Sequence, residues 1–179
     1  MENRRKVLFL TQAAVIAALY VVLSLPMLSV SFGPIQFRLS EALTILPYFT
    51  PAAIPGLFVG CLLTNMIGST VTDMIVGSLA TLIAAVISYK LRGNKWLVPL
   101  APVVVNGVMI GAMLHVIAFS GLSLIANMGL IALSEIVACY VIGLPLLLIL
   151  EASGLFNRLT VVEPKNAQKV QWQKKNKKL

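Results

Sequence analysis

The sequence predicts an all-α integral membrane protein with six transmembrane helices, both termini inside, and a short second span. Three observations predict it. The 179 residues are 59% apolar and only 11% charged, with a mean hydropathy of +0.94, whereas a soluble domain carries ~25% charged residues. Apolar runs long enough to cross a bilayer recur along the chain. Basic residues gather in three clusters: Arg4-Arg5-Lys6, Lys90/Arg92/Lys95, and Arg158 with a lysine-rich tail. Cytoplasmic loops collect Lys and Arg, and six crossings put all three clusters on one side.

The first span covers about residues 7–28. Its Arg-Arg-Lys start looks like a secretory leader, with Ser29-Val30-Ser31 as a cleavage site, but the apolar run is too long and further spans follow. The next segment carries Arg38 and Glu41 early and Pro47, Pro51 and Pro55 in its middle. One span there would leave Lys90–Lys95 outside; two, over 36–49 and 52–68, bring every basic cluster inside. Three more spans follow at about 72–90, 96–119 and 123–152. Each has the ~20 residues that a hydrocarbon core of ~30 Å requires. The expected organisation is one transmembrane domain over 1–157 and a basic cytoplasmic tail over 158–179. That tail (Lys165, Lys169, Lys174, Lys175, Lys177, Lys178 and Trp172) fixes topology or lies near anionic lipid headgroups. The formal charge of +8 is therefore not a nucleic-acid signal.

This topology makes the polar residues informative. Arg38 and Glu41 open span 2, Asn65 closes span 3, Asp73 opens span 4, His115 closes span 5, and Asn127 lies early in span 6. All sit toward the outside. Glu135 lies about 18 Å down span 6 at 1.5 Å per residue, near the midplane. The inner half is apolar except for Asn106 and Glu151. An ion pathway needs polar groups along its whole length. The pattern instead predicts a binding cavity open to the outside and closed below.

A carboxylate at mid-bilayer is costly, so Glu135 should face the interior and have a partner. It can accept from a ligand's donor edge, balance a cationic ligand, or form a structural pair. Asn127 lies about 80° away around the same helix and can line the same cavity. Ser40 and Glu41 fit the cap and dipole chemistry of a helix start. Equally, the loop Phe32-Gly33-Pro34-Ile35-Gln36-Phe37-Arg38 can line a cavity at membrane depth. Phe32 and Phe37 would then stack on a flat ligand while Gln36, Arg38 and Glu41 address its polar edge. Asn65 suits a planar amide or base edge, or an interhelical hydrogen bond. Asp73, after Thr70 and Thr72, reads as helix-start chemistry. His115 is an interfacial side chain or a ligand contact, and Asn106 a helix contact or a kink with Gly107.

Cys61 and Cys139 fall inside apolar spans without metal-type spacing and read as small packing residues. Ala13, Ala14, Ala17 and Ala18 form overlapping small-xxx-small pairs on span 1, and Gly56 and Gly60 a GxxxG on span 3; both allow close helix approach. There is no phosphate loop, no HExxH and no GxSxG. No nucleophile–base pair is nominated, so no catalytic residue, metal site or resident cofactor is expected.

The stretch FGPIQFRLSEALTILPYFTPAAIPGLFVGCLLTN (Phe32–Asn65), followed by GSLATLIAA (Gly77–Ala85), resembles the QueT family of membrane proteins. The resemblance runs to about Leu155 and leaves out only the tail. It implies the S-component-like bundle of an energy-coupling factor (ECF) transporter: a six-helix substrate-binding subunit in a prokaryotic cell membrane. Its partners would be a transmembrane scaffold and two ATPases, which use ATP and Mg, and its substrate a 7-deazaguanine precursor of queuosine such as preQ1 or queuine. It also implies that the AxxxA pattern, matched by Ala13/Ala17 and Ala14/Ala18, docks on the scaffold. On that reading Glu135 and Glu41 divide the ligand's donor edge and its amine between them. Asn65, Asn127 and Arg38 address its acceptors, and residues 29–37 form a lid. The competing readings are an S-component for another vitamin or base, a solitary ion-coupled transporter or channel, a structural membrane subunit, and an intramembrane enzyme.

Overall fold

The computed structural model describes residues 2–27, 38–117, 122–154 and 156. All its regular structure there is helical. Helix α1 is Glu2–Ser24, closed by a single 3₁₀ turn at Leu25–Met27. A ten-residue 3₁₀ helix, Leu39–Tyr48, comes next. Then follow α2 (Ala53–Gly68), α3 (Val71–Leu91), α4 (Leu100–Ile117) and α5 (Leu124–Ile136). From α5 the chain continues without a break through a π-helical segment, Val137–Gly143, into α6 (Leu144–Ser153). Phe32, Gln36, Phe37, the proposed lid, Arg158 and the tail lie outside the described residues.

Among the described residues, four helical stretches are long and apolar enough to cross a membrane: α1, α3, α4 and the continuous Leu124–Ser153. Helix α2 is apolar but has 16 residues. The bundle inverts the pattern of a soluble protein. Large apolar side chains such as Val71, Ile125 and Ile149 face outward, while Arg38, Glu41, Asn65, Asn106 and Glu135 are buried. Only a lipid surround makes that arrangement favourable.

The boundaries differ from the sequence reading where local chemistry intervenes. Helix α4 begins at Leu100 rather than near residue 96. Asn94 accepts the Trp96 amide in a turn (3.1 Å), and Pro99 biases the residue before it away from helical backbone. Ser40 does not cap the 3₁₀ helix. Arg38 occupies that position without a side-chain cap, and the Ser40 hydroxyl accepts from Ser24 instead (2.7 Å). Thr70 does cap α3, accepting from the Asp73 amide (3.2 Å), while Ser69 and Thr70 both donate to the Asp73 carboxylate.

Small residues set the helix spacing. A Cβ on Gly56 would lie 2.8 Å from the Ala13 carbonyl oxygen, and one on Gly60 2.7 Å from the Tyr20 Cβ. The GxxxG therefore receives α1 within the chain. It takes the α1 face that carries Ala13, Ile16, Ala17 and Tyr20, and leaves Ala14 and Ala18 exposed. At the far end of the bundle from Asp73, Glu151 accepts from Lys95 (2.9 Å) and from the Tyr48 hydroxyl (2.8 Å), closing that end. Between the ends runs an apolar core of Ile16, Leu43, Ile45, Leu46, Leu57, Val98 and Leu147.

Candidate functional site

Many of the buried polar side chains join into one cluster, built where the start of the 3₁₀ helix meets α1, α2, α3, α4, α5 and the π-helical segment. Its centre is Asn106 on α4. The Asn106 Nδ2 donates to Glu135 Oε1 (2.9 Å) and, at 3.4 Å, to Glu41 Oε2. Two carboxylates from different elements thus share one amide nitrogen. The Tyr20 hydroxyl, on α1, donates to Glu41 Oε1. Glu41, Asn106 and Glu135 are at most 5% exposed. Carboxylates at that depth survive only when donors converge on them.

Both cysteines belong to this cluster. The Cys139 thiol lies 3.5 Å from the Glu135 carboxylate, the Glu41 backbone carbonyl and the Thr44 hydroxyl. Thr44 in turn donates to the Glu41 carbonyl (2.6 Å). Cys139 sits on the π-helical segment, a distortion that tends to mark functional regions of helices. Cys61, on α2, accepts from Thr81 (3.3 Å) and from Asn65 Nδ2 (3.4 Å), and lies 3.9 Å from Arg38 Nη1. Arg38 also neighbours the charges of Glu41 and Asp73. A Cβ on Gly77 would lie 3.0 Å from Asn65 Nδ2 and 3.8 Å from Arg38 Nη1. Gly77 therefore keeps open the ground that these two side chains border.

Of the residues expected from the sequence, the structure brings together Glu135, Glu41, Arg38 and Asn65. Asn127 is buried on the same helix as Glu135, 5% exposed, and nearer the Asp73 end. His115 is exposed, and its Nδ1 lies 3.2 Å from the Leu122 carbonyl, so it ties the end of α4 to the start of α5, apart from the cluster. Tyr20, Asn106, Thr44 and the two thiols were not singled out as site residues by sequence reasoning. For Asn106 a signal existed. It lies eleven residues before the end of α4, and Glu135 eleven after the start of α5. At 1.5 Å per residue both sit about 16 Å from the same end of the bundle, so an amide and a carboxylate at equal depth were available to pair.

Chemically, the cluster offers two carboxylates, two carboxamides, a phenol and a guanidinium in a water-excluding surround. Such a set has the donors and acceptors that recognition of a small polar molecule requires. Among the described residues no group of three or more His, Cys, Asp and Glu could hold a metal ion.

Comparison with known proteins points to a transporter family. Over 72 residues the chain is 46% identical to the queuosine precursor transporter QueT of Lactococcus lactis subsp. cremoris (strain MG1363). That match covers 39% of this chain and 43% of the relative, so the chain aligns with less than half of the relative's length. No solved structure matches. The family comparison reaches further, taking in residues 10–152 and with them every residue of the cluster. A multi-pass chain with a donor-lined carboxylate pair in its interior, matched over that length, belongs to the QueT transporter family.

Proposed function

We propose that this chain is the substrate-binding membrane subunit, or S-component, of an ECF-type importer, and that it takes up a queuosine precursor. A 7-deazaguanine such as preQ1 or queuine is the substrate class. The observation that carries the proposal is the Glu41–Asn106–Glu135 constellation within a chain of the QueT transporter family. The relative's name supplies the substrate class.

The chemistry fits. A deazaguanine carries an N1–H and an exocyclic amino group that a carboxylate accepts in bidentate fashion, and preQ1 adds a cationic aminomethyl group. Two carboxylates answer both. Arg38 and Asn127 would serve the remaining polar atoms.

In this reading the 3₁₀ helix and α2 are the second and third of six crossings. Arg4, Arg5 and Lys6, the Lys90–Lys95 loop and the C-terminal tail then face the cytoplasm of a prokaryotic cell. The Glu151 end is the cytoplasmic one, and the apolar core above it gives a ligand no route inward. Transport therefore requires the bundle to move, driven by a scaffold subunit and two ATPases that use ATP and Mg. Ala14 and Ala18, exposed on α1, would meet that scaffold.

The test is equilibrium binding to the purified chain in detergent. Submicromolar affinity for preQ1 or queuine, with weak binding of guanine and thiamin, is expected. Tight binding of a different vitamin or base would replace the substrate. Ion-driven uptake into vesicles that lack ATPases would replace the mechanism.

A further inference from the structure

Asn65 and Asn106 share a property that their sequence positions do not reveal. Each carboxamide spends its amide hydrogens on the protein and keeps its oxygen for something else. Asn65 Nδ2 donates to the Asp73 backbone carbonyl (3.1 Å) and to Cys61 Sγ (3.4 Å). Asn106 Nδ2 donates to Glu135 and to Glu41 (2.9 and 3.4 Å). These partners fix the orientation of both amides, because a carbonyl accepts only, and flipping Asn106 would set its oxygen against two carboxylates. Both residues are 0% exposed. Yet among the described residues neither Asn65 Oδ1 nor Asn106 Oδ1 receives a hydrogen bond.

A buried carbonyl oxygen left unpaired costs about 1–3 kcal/mol, and native interiors rarely tolerate one. Two such oxygens lie in one polar cluster with two carboxylates, so the cluster has acceptors to offer a ligand. Resting on the substrate class proposed above, and moving the base's donor edge from the carboxylates to the carboxamides so that Glu41 and Glu135 keep the cationic amine, we infer that Asn65 and Asn106 are specificity residues that present their carbonyl oxygens to N–H donors of the substrate. The site therefore selects a planar base whose edge carries an amino group and a lactam N–H. This reverses the role the sequence gave Asn65, whose amide nitrogen is already engaged.

The surroundings divide the two donors. Asn106 Oδ1, flanked by Glu41 and Glu135, suits the amino group, whose hydrogens carry partial positive charge. A lactam presents N–H and C=O side by side. It needs an acceptor next to a donor, which Asn65 Oδ1 and the Arg38 guanidinium would supply. A base that turns a ring nitrogen lone pair toward either carboxamide meets oxygen against nitrogen and is rejected.

The experiment uses the full chain in detergent and two probes, 7-aminomethyl-7-deazaguanine and its analogue without the 2-amino group. Wild type should bind the analogue at least tenfold more weakly. Asn106→Leu should bind both within about threefold of each other, whereas Asn65→Leu should weaken both yet preserve their ratio. Equal ratios in wild type and Asn106→Leu would overturn the assignment of Asn106. Should the leucine variants not fold, wild type labelled with ¹³C in its asparagine carboxamides provides the readout. Ligand binding should lower the frequency of an asparagine C=O stretch, and an unmoved band refutes the inference. Failure of the wild type to bind any 7-deazaguanine would instead sink the proposed function. Altered stability of the ligand-free variants with unchanged affinity would mean that the protein's own groups satisfy these oxygens, and the inference falls.

Discussion

Replacing Gly60 by alanine places a methyl group where the structure already holds the backbone of α1. The new Cβ would lie 2.7 Å from the Tyr20 Cβ and 3.0 Å from the Ala17 carbonyl oxygen. Carbon atoms in contact prefer about 3.5–4.0 Å, so α1 must retreat by roughly an ångström. Neither obstacle is the far end of a flexible side chain. Overpacking of this kind costs about 1–3 kcal/mol, offset by up to about 1 kcal/mol of helix propensity. The retreat also draws the Tyr20 hydroxyl off Glu41, and a buried carboxylate that loses a donor costs about another 1–3 kcal/mol. The expected destabilisation is therefore about 2 kcal/mol or more. Gly129→Ala is the control, since Gly129 is exposed on α5 and its added Cβ meets nothing within 4 Å. It should gain about 0.5–1 kcal/mol from propensity alone. Unfolding in mixed detergent micelles, followed by far-UV circular dichroism, reads both. A Gly60→Ala protein as stable as wild type would show that α1 does not rest on α2 as described. Equal losses at Gly60 and Gly129 would refute the packing argument.

Two further outcomes are expected. Glu135→Gln and Glu41→Gln should each weaken 7-deazaguanine binding about 10–100-fold, the worth of one charge-assisted hydrogen bond; wild-type affinity in both variants, measured by calorimetry, removes the carboxylates from the site. Ala14→Phe with Ala18→Phe should abolish uptake in vesicles carrying the complete transporter and leave ligand affinity unchanged, whereas Ala17→Phe, on the face packed against α2, should lower the stability of the chain itself. Lost affinity together with normal assembly of the double variant would count against docking through Ala14 and Ala18.

Much of this architecture could be read from the chain. Hydropathy located the long helices, and the expense of mid-membrane charge singled out Glu135. The cluster that surrounds it could not be assembled in the same way. Glu41, Asn106 and Glu135 are scattered along the sequence, and hydropathy carries no information about which helices touch. Tyr20 reads as one more aromatic in an apolar run, and Cys61 and Cys139 as packing residues. Their roles depend on what faces them. The two departures from α-helical geometry were hidden for a related reason: periodicity arguments assume 3.6 residues per turn, and neither the Leu39–Tyr48 nor the Val137–Gly143 segment obeys that period.

The 3₁₀ helix gives the molecule a spindle. Ser40 through Pro47 are buried without interruption, so this element turns no side toward lipid and the other helices are arranged around it. At about 2.0 Å per residue its ten residues reach about 20 Å, where an α-helix of equal length would reach about 15 Å. Its threefold repeat sets Glu41 and Thr44 on one edge, both against Cys139. Four residues beyond Thr44, Tyr48 fastens the opposite end to Glu151. A helix at the periphery can absorb an inserted residue by bulging into the bilayer. This one has nowhere to bulge, and a single insertion must displace either the carboxylate at its top or the clasp at its base.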